Sequence, residues 1–176
     1  MTERAKMQQF KILLVDDSKS ILRALKRTFK SEGYDIFTAE SAYEAMEIFA
    51  NEEIDLIITD ENMPGISGTE LLARTRKMYP DVIRMMLTGA TDIEVAREAI
   101  NKGEVYKFFG KPWNDLELLV SVQYALQHRE TEKENKRLKK VVGEQQNLLR
   151  QLEKEYPGIS EVTKANDGTI ILENDN

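Results

Sequence analysis

The chain has 176 residues, 41% hydrophobic and 32% charged, with a net charge of −6, no cysteine and a single histidine, His128; this suits one ordinary domain with an appendage and excludes disulfides, thiolate nucleophiles, cysteine zinc sites and multi-histidine metal sites. No apolar run exceeds four residues, as in Ile12-Leu13-Leu14-Val15, against the roughly 20 that cross a bilayer, and the start Met1-Thr2-Glu3-Arg4 lacks the apolar stretch of a secretory signal. A cytoplasmic protein without membrane insertion is expected, and its acidic balance argues against direct DNA binding.

The first 112 residues alternate two periods. Phe10 to Val15 reads as a short buried strand, and Ser18 to Ser31 as a helix with Ile21, Leu22, Leu25 and Phe29 on one face. Gly33 stands just past that helix, where a positive φ is wanted. Tyr34 to Thr38 is the second strand, and Ser41-x-x-Glu44 opens the next helix as a capping box, with Ala42, Ala45, Met46 and Phe49 inward. Ile54 to Thr59 is a third strand, apolar except for Asp55 and so suited to a sheet covered on both faces. Ser67-x-x-Glu70 caps a helix, Val82 to Leu87 is a strand, Thr91-x-x-Glu94 caps a helix ending at Gly103, and Val105 to Phe109 is the fifth strand. Five strand–helix units with right-handed crossovers give an α/β fold: a doubly wound five-stranded parallel sheet with helices on both faces.

After Pro112, Asn114-x-x-Glu117 caps a fifth helix, with Trp113 placed against Leu118. No proline follows until Pro157 and the one glycine is Gly143, so an extended C-terminal helix of about 40 residues, near 60 Å, is expected. Leu116, Leu119, Val120, Gln123 and Leu126 are assigned to its sheet-facing side. Beyond them, Asn135, Val142, Leu149 and Tyr156 at a, with Leu138, Gln145 and Leu152 at d, sketch a short seam. Two readings stay open: self-association through this helix, or a solvated arm that docks on another protein. Ile159 to Leu172, with Asp167-Gly168 at its turn, reads as a terminal β-hairpin. The expected parts are therefore 1–128 as the α/β domain, 129–156 as the helical extension and 157–176 as the hairpin tail.

In such a sheet, ligands gather beyond the carboxyl ends of the strands. The residues there are Asp16 and Asp17 after the first strand, Asp60 after the third, Thr88 after the fourth and Lys111 after the fifth. Three close carboxylates call for a cation, and oxygen-only ligands suit Mg²⁺. With a lysine and a hydroxyl beside them, they form a cradle for a phosphoryl group, whose transfer depends mainly on positioning and charge neutralisation. Singly, each residue has a plainer role: Asp16 and Asp17 as helix caps, Lys111 as a solvated lysine, Phe108 as core. Their joint placement at one edge favours the site. His128, alone on a charged helix, is expected to be merely exposed.

Val15-Asp16-Asp17-Ser18, Asp60-Glu61-Asn62-Met63-Pro64-Gly65-Ile66-Ser67-Gly68, Leu87-Thr88-Gly89-Ala90 and Phe108-Phe109-Gly110-Lys111-Pro112 together resemble the receiver domain of bacterial two-component response regulators over residues about 10–128. The resemblance implies a flavodoxin-like sheet of order 2-1-3-4-5. It implies Asp60 as the acceptor of a phosphoryl group from a histidine kinase or phosphotransfer protein, and Mg²⁺ held by Asp16, Asp17, Asp60 and the backbone carbonyl of Asn62. It further implies that Lys111 pairs with a phosphoryl oxygen ahead of a cis peptide to Pro112, and that Thr88 and Phe108 act as the switch pair. Such a protein catalyses its own phosphorylation and dephosphorylation without being a turnover enzyme. The fourth helix, fifth strand and fifth helix then form the face that controls a downstream protein or a homodimer. Two other functions are weighed against it: an aspartyl-nucleophile phosphatase, whose Asp-x-Asp differs from the adjacent Asp16-Asp17 pair, and a constitutive coiled-coil scaffold with a vestigial receiver.

Overall fold

The structure, a computed structural model, describes residues 9–157. The chain divides after Arg129 into two compact units. The first contains five parallel strands, β1 (Lys11–Val15), β2 (Asp35–Ala39), β3 (Leu56–Asp60), β4 (Ile83–Thr88) and β5 (Lys107–Gly110), in the order β2-β1-β3-β4-β5. Helices α1 (Lys19–Phe29), α2 (Ala42–Asn51), α3 (Gly68–Met78) and α4 (Ile93–Asn101) connect them, and α5 (Asp115–Glu155) follows β5.

Alternation along each strand builds two cores. Ile12, Leu14, Leu56, Ile58, Met85, Leu87 and Phe109 pack with Leu22, Leu25 and Phe29 of α1 and with Leu118, Val122, Ala125 and Leu126 of α5. Leu13, Val15, Ile57 and Met86 pack on the other face with Ala45 and Phe49 of α2, Leu71 and Leu72 of α3, and Ala96 and Ala99 of α4. Every residue of β3 is buried, as its near-continuous apolar run requires of a central parallel strand. Each such Leu or Ile stabilises the fold by about 1.5–3 kcal/mol through removal of apolar surface from water.

The helix starts follow the expected chemistry in three cases. Ser41 accepts from the Glu44 N–H and Ser67 from the Glu70 N–H, while Asn114 Oδ1 accepts from the Glu117 N–H at 3.0 Å. The fourth differs: a 3-10 turn, Ala90–Asp92, precedes α4, Asp92 holds the N-cap position, and the Thr91 hydroxyl donates to the Asp92 carboxylate at 3.0 Å. The 3-10 turn delays the helix to Ile93, so Thr91 stands one residue ahead of the N-cap position. Gly33 and Gly103 adopt φ of 73° and 70° just past α1 and α4, a region that favours residues without a Cβ.

The buried stripe of α5 also differs from expectation. Leu118, Val122, Ala125 and Leu126 face the sheet, whereas Leu116 and Val120 are exposed. Leu119 is partly buried against the same core, and Gln123 donates to Glu32 at 2.7 Å. The helix carries apolar residues on more than one side here, so periodicity alone does not select the stripe.

Asp55, the polar residue inside the third apolar run, accepts the backbone N–H of Lys11 at 2.9 Å with one oxygen and Arg129 Nη1 at 2.7 Å with the other. Arg129 Nε donates to the Asp81 carbonyl at 2.6 Å. This pins α5 to the amino ends of β1, β3 and β4. Arg129→Ala leaves Asp55 as a half-satisfied, largely buried carboxylate, and the expected cost is about 2–4 kcal/mol, measured as a shift in the urea midpoint.

The second unit contains the remainder of α5. Its helix is supported by Glu134–Arg137, joined by two bonds of 2.7 Å, and by the looser Lys140–Glu144 pair at 4.0 Å. Leu138, Val142 and Leu149 of the expected seam are exposed along this helix, with Val141 and Leu148 beside them. The expected hairpin lies outside the described residues.

Candidate functional site

The strand order reverses at β1, which has β2 on one side and β3 on the other, so the carboxyl ends of β1 and β3 form the crevice where an open α/β sheet takes ligands. Asp16 leaves β1 still in the ladder, its N–H bonded to the Ala39 carbonyl at 3.2 Å. Its Oδ1 accepts the Ser18 N–H at 2.9 Å, which shapes the turn into α1. Asp16 is 1% exposed, and Asp17, next along, is exposed. Asp60 is the last residue of β3 and is 5% exposed. Carboxylate oxygens of Asp16, Asp17 and Asp60 lie within 4.8 Å of one another.

Lys111 arrives from the far side. Its backbone N–H bonds the Thr88 carbonyl at 2.8 Å, continuing the β4–β5 pairing, and its peptide to Pro112 is cis. Its Nζ then lies 2.8 Å from Asp16 Oδ2 and 2.8 Å from Asp60 Oδ1. The other Asp60 oxygen, Oδ2, accepts the Asn62 N–H at 3.1 Å. Thr88 is fully buried at the end of β4, and its hydroxyl donates to the Gly89 carbonyl at 3.2 Å. Phe108 is partly buried on the α2–α3–α4 side of the sheet. Asp16, Asp17, Asp60 and Lys111 thus converge, Asn62 and Thr88 flank them, and Phe108 stands farther back within β5.

The electrostatics follow from this crowding. Burial pushes the Asp60 carboxyl above its ordinary value, and the Asp16 carboxylate adds to that, while Lys111 and the Asn62 N–H pull in the opposite direction. Burial works against the charge on Lys111, yet its hydrogen bonds to Asp16 and Asp60 raise its pKa above the usual lysine value. The lysine is therefore fixed as a cation. The all-oxygen donor set, with Asp17 open to solvent, is of the kind that suits a hard divalent ion.

Two supporting residues had no role in the sequence reading. Glu61 is buried, and its Oε2 accepts both the N–H and the hydroxyl of Thr69, at 2.8 and 2.7 Å, tying the β3–α3 loop to the start of α3. Gly68 sits against the backbone of the phosphoacceptor candidate: a Cβ there would collide with the Asp60 carbonyl and stand 2.9 Å from Glu61 Cα. A glycine among turn residues signals a bend; that it abuts this particular strand end is a tertiary fact.

The sheet order and the two helical layers define a flavodoxin-like α/β domain with an acidic cluster at the carboxyl edge of its strands. The chain belongs to the response regulator receiver domain family, whose family model matches residues 12–123. It is 32% identical over 120 residues to the hydrogenase transcriptional regulatory protein HoxA of Cupriavidus necator, an alignment covering 68% of this chain and 25% of that protein. It is 31% identical to sporulation initiation phosphotransferase F of Bacillus subtilis, covering 61% of this chain and 86% of that one. Among solved structures it resembles the signal receiver domain of an HD domain-containing protein from Pseudomonas fluorescens Pf-5, with a TM-score of 0.67 and 37% identity over 70% of this chain and 99% of that one. The chain spans about a quarter to a third of the length of the transcriptional regulators it matches. Among the described residues, no helix is long and apolar enough to cross a membrane.

Proposed function

We propose that Asp60 accepts a phosphoryl group from a histidine kinase or phosphotransfer protein in the cytoplasm, in a Mg²⁺-dependent reaction. The observation that carries this reading is Lys111 Nζ bridging Asp16 and Asp60 at 2.8 Å each, beside an acidic trio with oxygens within 4.8 Å. A carboxylate oxygen of Asp60 forms a bond to phosphorus as the phosphorus–nitrogen bond of phosphohistidine breaks, with the electron pair returning to the imidazole. Lys111 neutralises charge on the phosphoryl oxygens, and Thr88 offers its hydroxyl to one of them once it leaves Gly89. Asp16, Asp17, Asp60 and the Asn62 carbonyl are the groups that would hold Mg²⁺, and when bound the ion supplies neutralisation of phosphoryl charge. No histidine base is required, because the nucleophile is a carboxylate already.

In this reading Thr88 moving inward draws Phe108 with it and repacks the face made by α4, β5 and α5. Val95 on α4, Leu116, Val120 and Tyr124 on α5, and Tyr106 just before β5 are all exposed, which supports that face as a place where a protein partner docks. The exposed apolar residues Leu138, Val142 and Leu149 support a homodimer through the extension. The domain limits 1–128, 129–156 and 157–176 remain part of this proposal.

Acetyl phosphate with Mg²⁺ tests the reading. Labelling is expected to reach a plateau at a stoichiometric phosphoprotein and to disappear with chelator or in Asp17→Ala. Steady turnover of p-nitrophenyl phosphate would instead make the protein an aspartyl-nucleophile phosphatase. Sedimentation with beryllofluoride and Mg²⁺ tests the output, the expected result being a shift in mass that Leu138→Glu abolishes.

A further inference from the structure

Asn62 lies two residues beyond Asp60, and its side chain is held from across the crevice. Its Nδ2 donates to Asp92 Oδ2 at 2.6 Å, joining residues 30 apart in the chain. The same oxygen accepts the Thr91 hydroxyl at 3.0 Å. It also lies close over Gly89, the residue after Thr88: a Cβ placed there would be 3.6 Å from it. One carboxylate therefore ties the loop that follows Asp60 to the loop that follows Thr88.

We propose that Asp92 is a positioning residue that fixes the carboxamide of Asn62 and so sets the lifetime of the phosphoryl group on Asp60. The proposal rests on the reading of Asp60 as phosphoacceptor. Loss of the group is attack by a water oxygen on phosphorus: the new phosphorus–oxygen bond forms as the bond to Asp60 breaks. The electron pair returns to the Asp60 carboxylate and the proton of the water leaves to solvent, giving inorganic phosphate. A carboxamide beside that reaction has two faces, an NH₂ that donates and an oxygen that accepts. The Asp92 oxygen accepts from the NH₂ of Asn62, which holds that edge of the amide toward Asp92 and leaves the carboxamide oxygen as the group turned to a water molecule. A water held by a fixed acceptor reaches the transition state with less loss of freedom than one that is not. Freed from Asp92, the amide turns, and its N–H can instead donate to a phosphoryl oxygen and stabilise the phosphorylated state. Both consequences lengthen the lifetime.

The test follows decay of the phosphoprotein after loading the full chain with acetyl phosphate and Mg²⁺ and removing the donor. Asp92→Ala and Asn62→Ala are each expected to lengthen the half-life about three- to tenfold, the range of one hydrogen bond expressed as a rate. The double variant is expected to decay no more slowly than the slower single one, as coupled partners do. Asp92→Asn keeps an acceptor oxygen and is expected to restore the parent half-life within about twofold. Equal thermal midpoints and equal label at zero time in Asp92→Ala and Asp92→Asn show that these variants fold and react. An unchanged half-life in Asp92→Ala, multiplying effects in the double variant, or Asp92→Asn behaving like Asp92→Ala would each overturn the proposal. A parent chain that takes no label overturns the reading of Asp60 itself, and this proposal with it.

Discussion

Asp60→Asn is expected to take up no phosphoryl group from acetyl phosphate and, at neutral pH, to be more stable than the parent by about 1–2 kcal/mol, a rise of a few degrees in melting temperature. The first effect follows because a carboxamide oxygen is a poor nucleophile. The second follows from burial: the folded state raises the Asp60 pKa above its ordinary 3.8 despite Lys111, so ionised Asp60 costs stability. A raised pKa means that the folded state is favoured while the group is protonated. This advantage is fully present below 3.8 and is lost as pH rises through the folded pKa. The gap in melting temperature between variant and parent should therefore be full at neutral pH and close as acid takes both chains toward 3.8. Lys111 also bonds Asp16 at 2.8 Å, so the substitution does not leave it without a carboxylate partner. A calorimetric pH series on both chains checks the sign; a variant less stable than the parent at neutral pH would refute the electrostatic account of this cluster.

Gly68→Ala is expected to cost about 2–4 kcal/mol and to impair labelling at Asp60 in the fraction that remains folded. The cause is steric. The first residue of α3 lies against the last peptide of β3, and an added methyl group meets the Asp60 carbonyl and crowds Glu61 Cα. Backbone cannot rotate away as a long side chain can. Relief therefore requires displacing α3 or the Asp60 peptide, and with either the bond from the Asn62 N–H to Asp60. A control at Gly110, where an added Cβ meets nothing within 4 Å, should stay within about 0.5 kcal/mol of the parent. Urea midpoints of the two variants measure the difference.

The alternation of short apolar runs with capped, amphipathic segments is a local property, and so it was legible in the chain. Five strands and their helices lie where the periods place them, and Asp16, Asp17, Asp60, Thr88 and Lys111 fall at strand ends by simple counting. The order of the strands came from resemblance to receivers, since periodicity does not distinguish one right-handed winding from another. Where two local choices were nearly equal, counting failed. Thr91 falls inside a 3-10 turn, and Asp92 takes the N-cap position in its place. The first turns of α5 offer Leu116, Leu118, Leu119 and Val120 around much of the helix, and the sheet buries Leu118 while leaving Leu116 and Val120 in water.

Composition and pattern thus sufficed for the fold class and for the sheet edge at which the acidic residues gather, because each depends on neighbours within a turn or a strand. Distances of 2.8 Å from one ammonium to two carboxylates, the Asn62–Asp92 bond and the close approach of Gly68 to Asp60 belong to pairs brought together by packing. Spacing along the chain carries no record of them, since they exist only after the sheet and its helices have closed around the crevice.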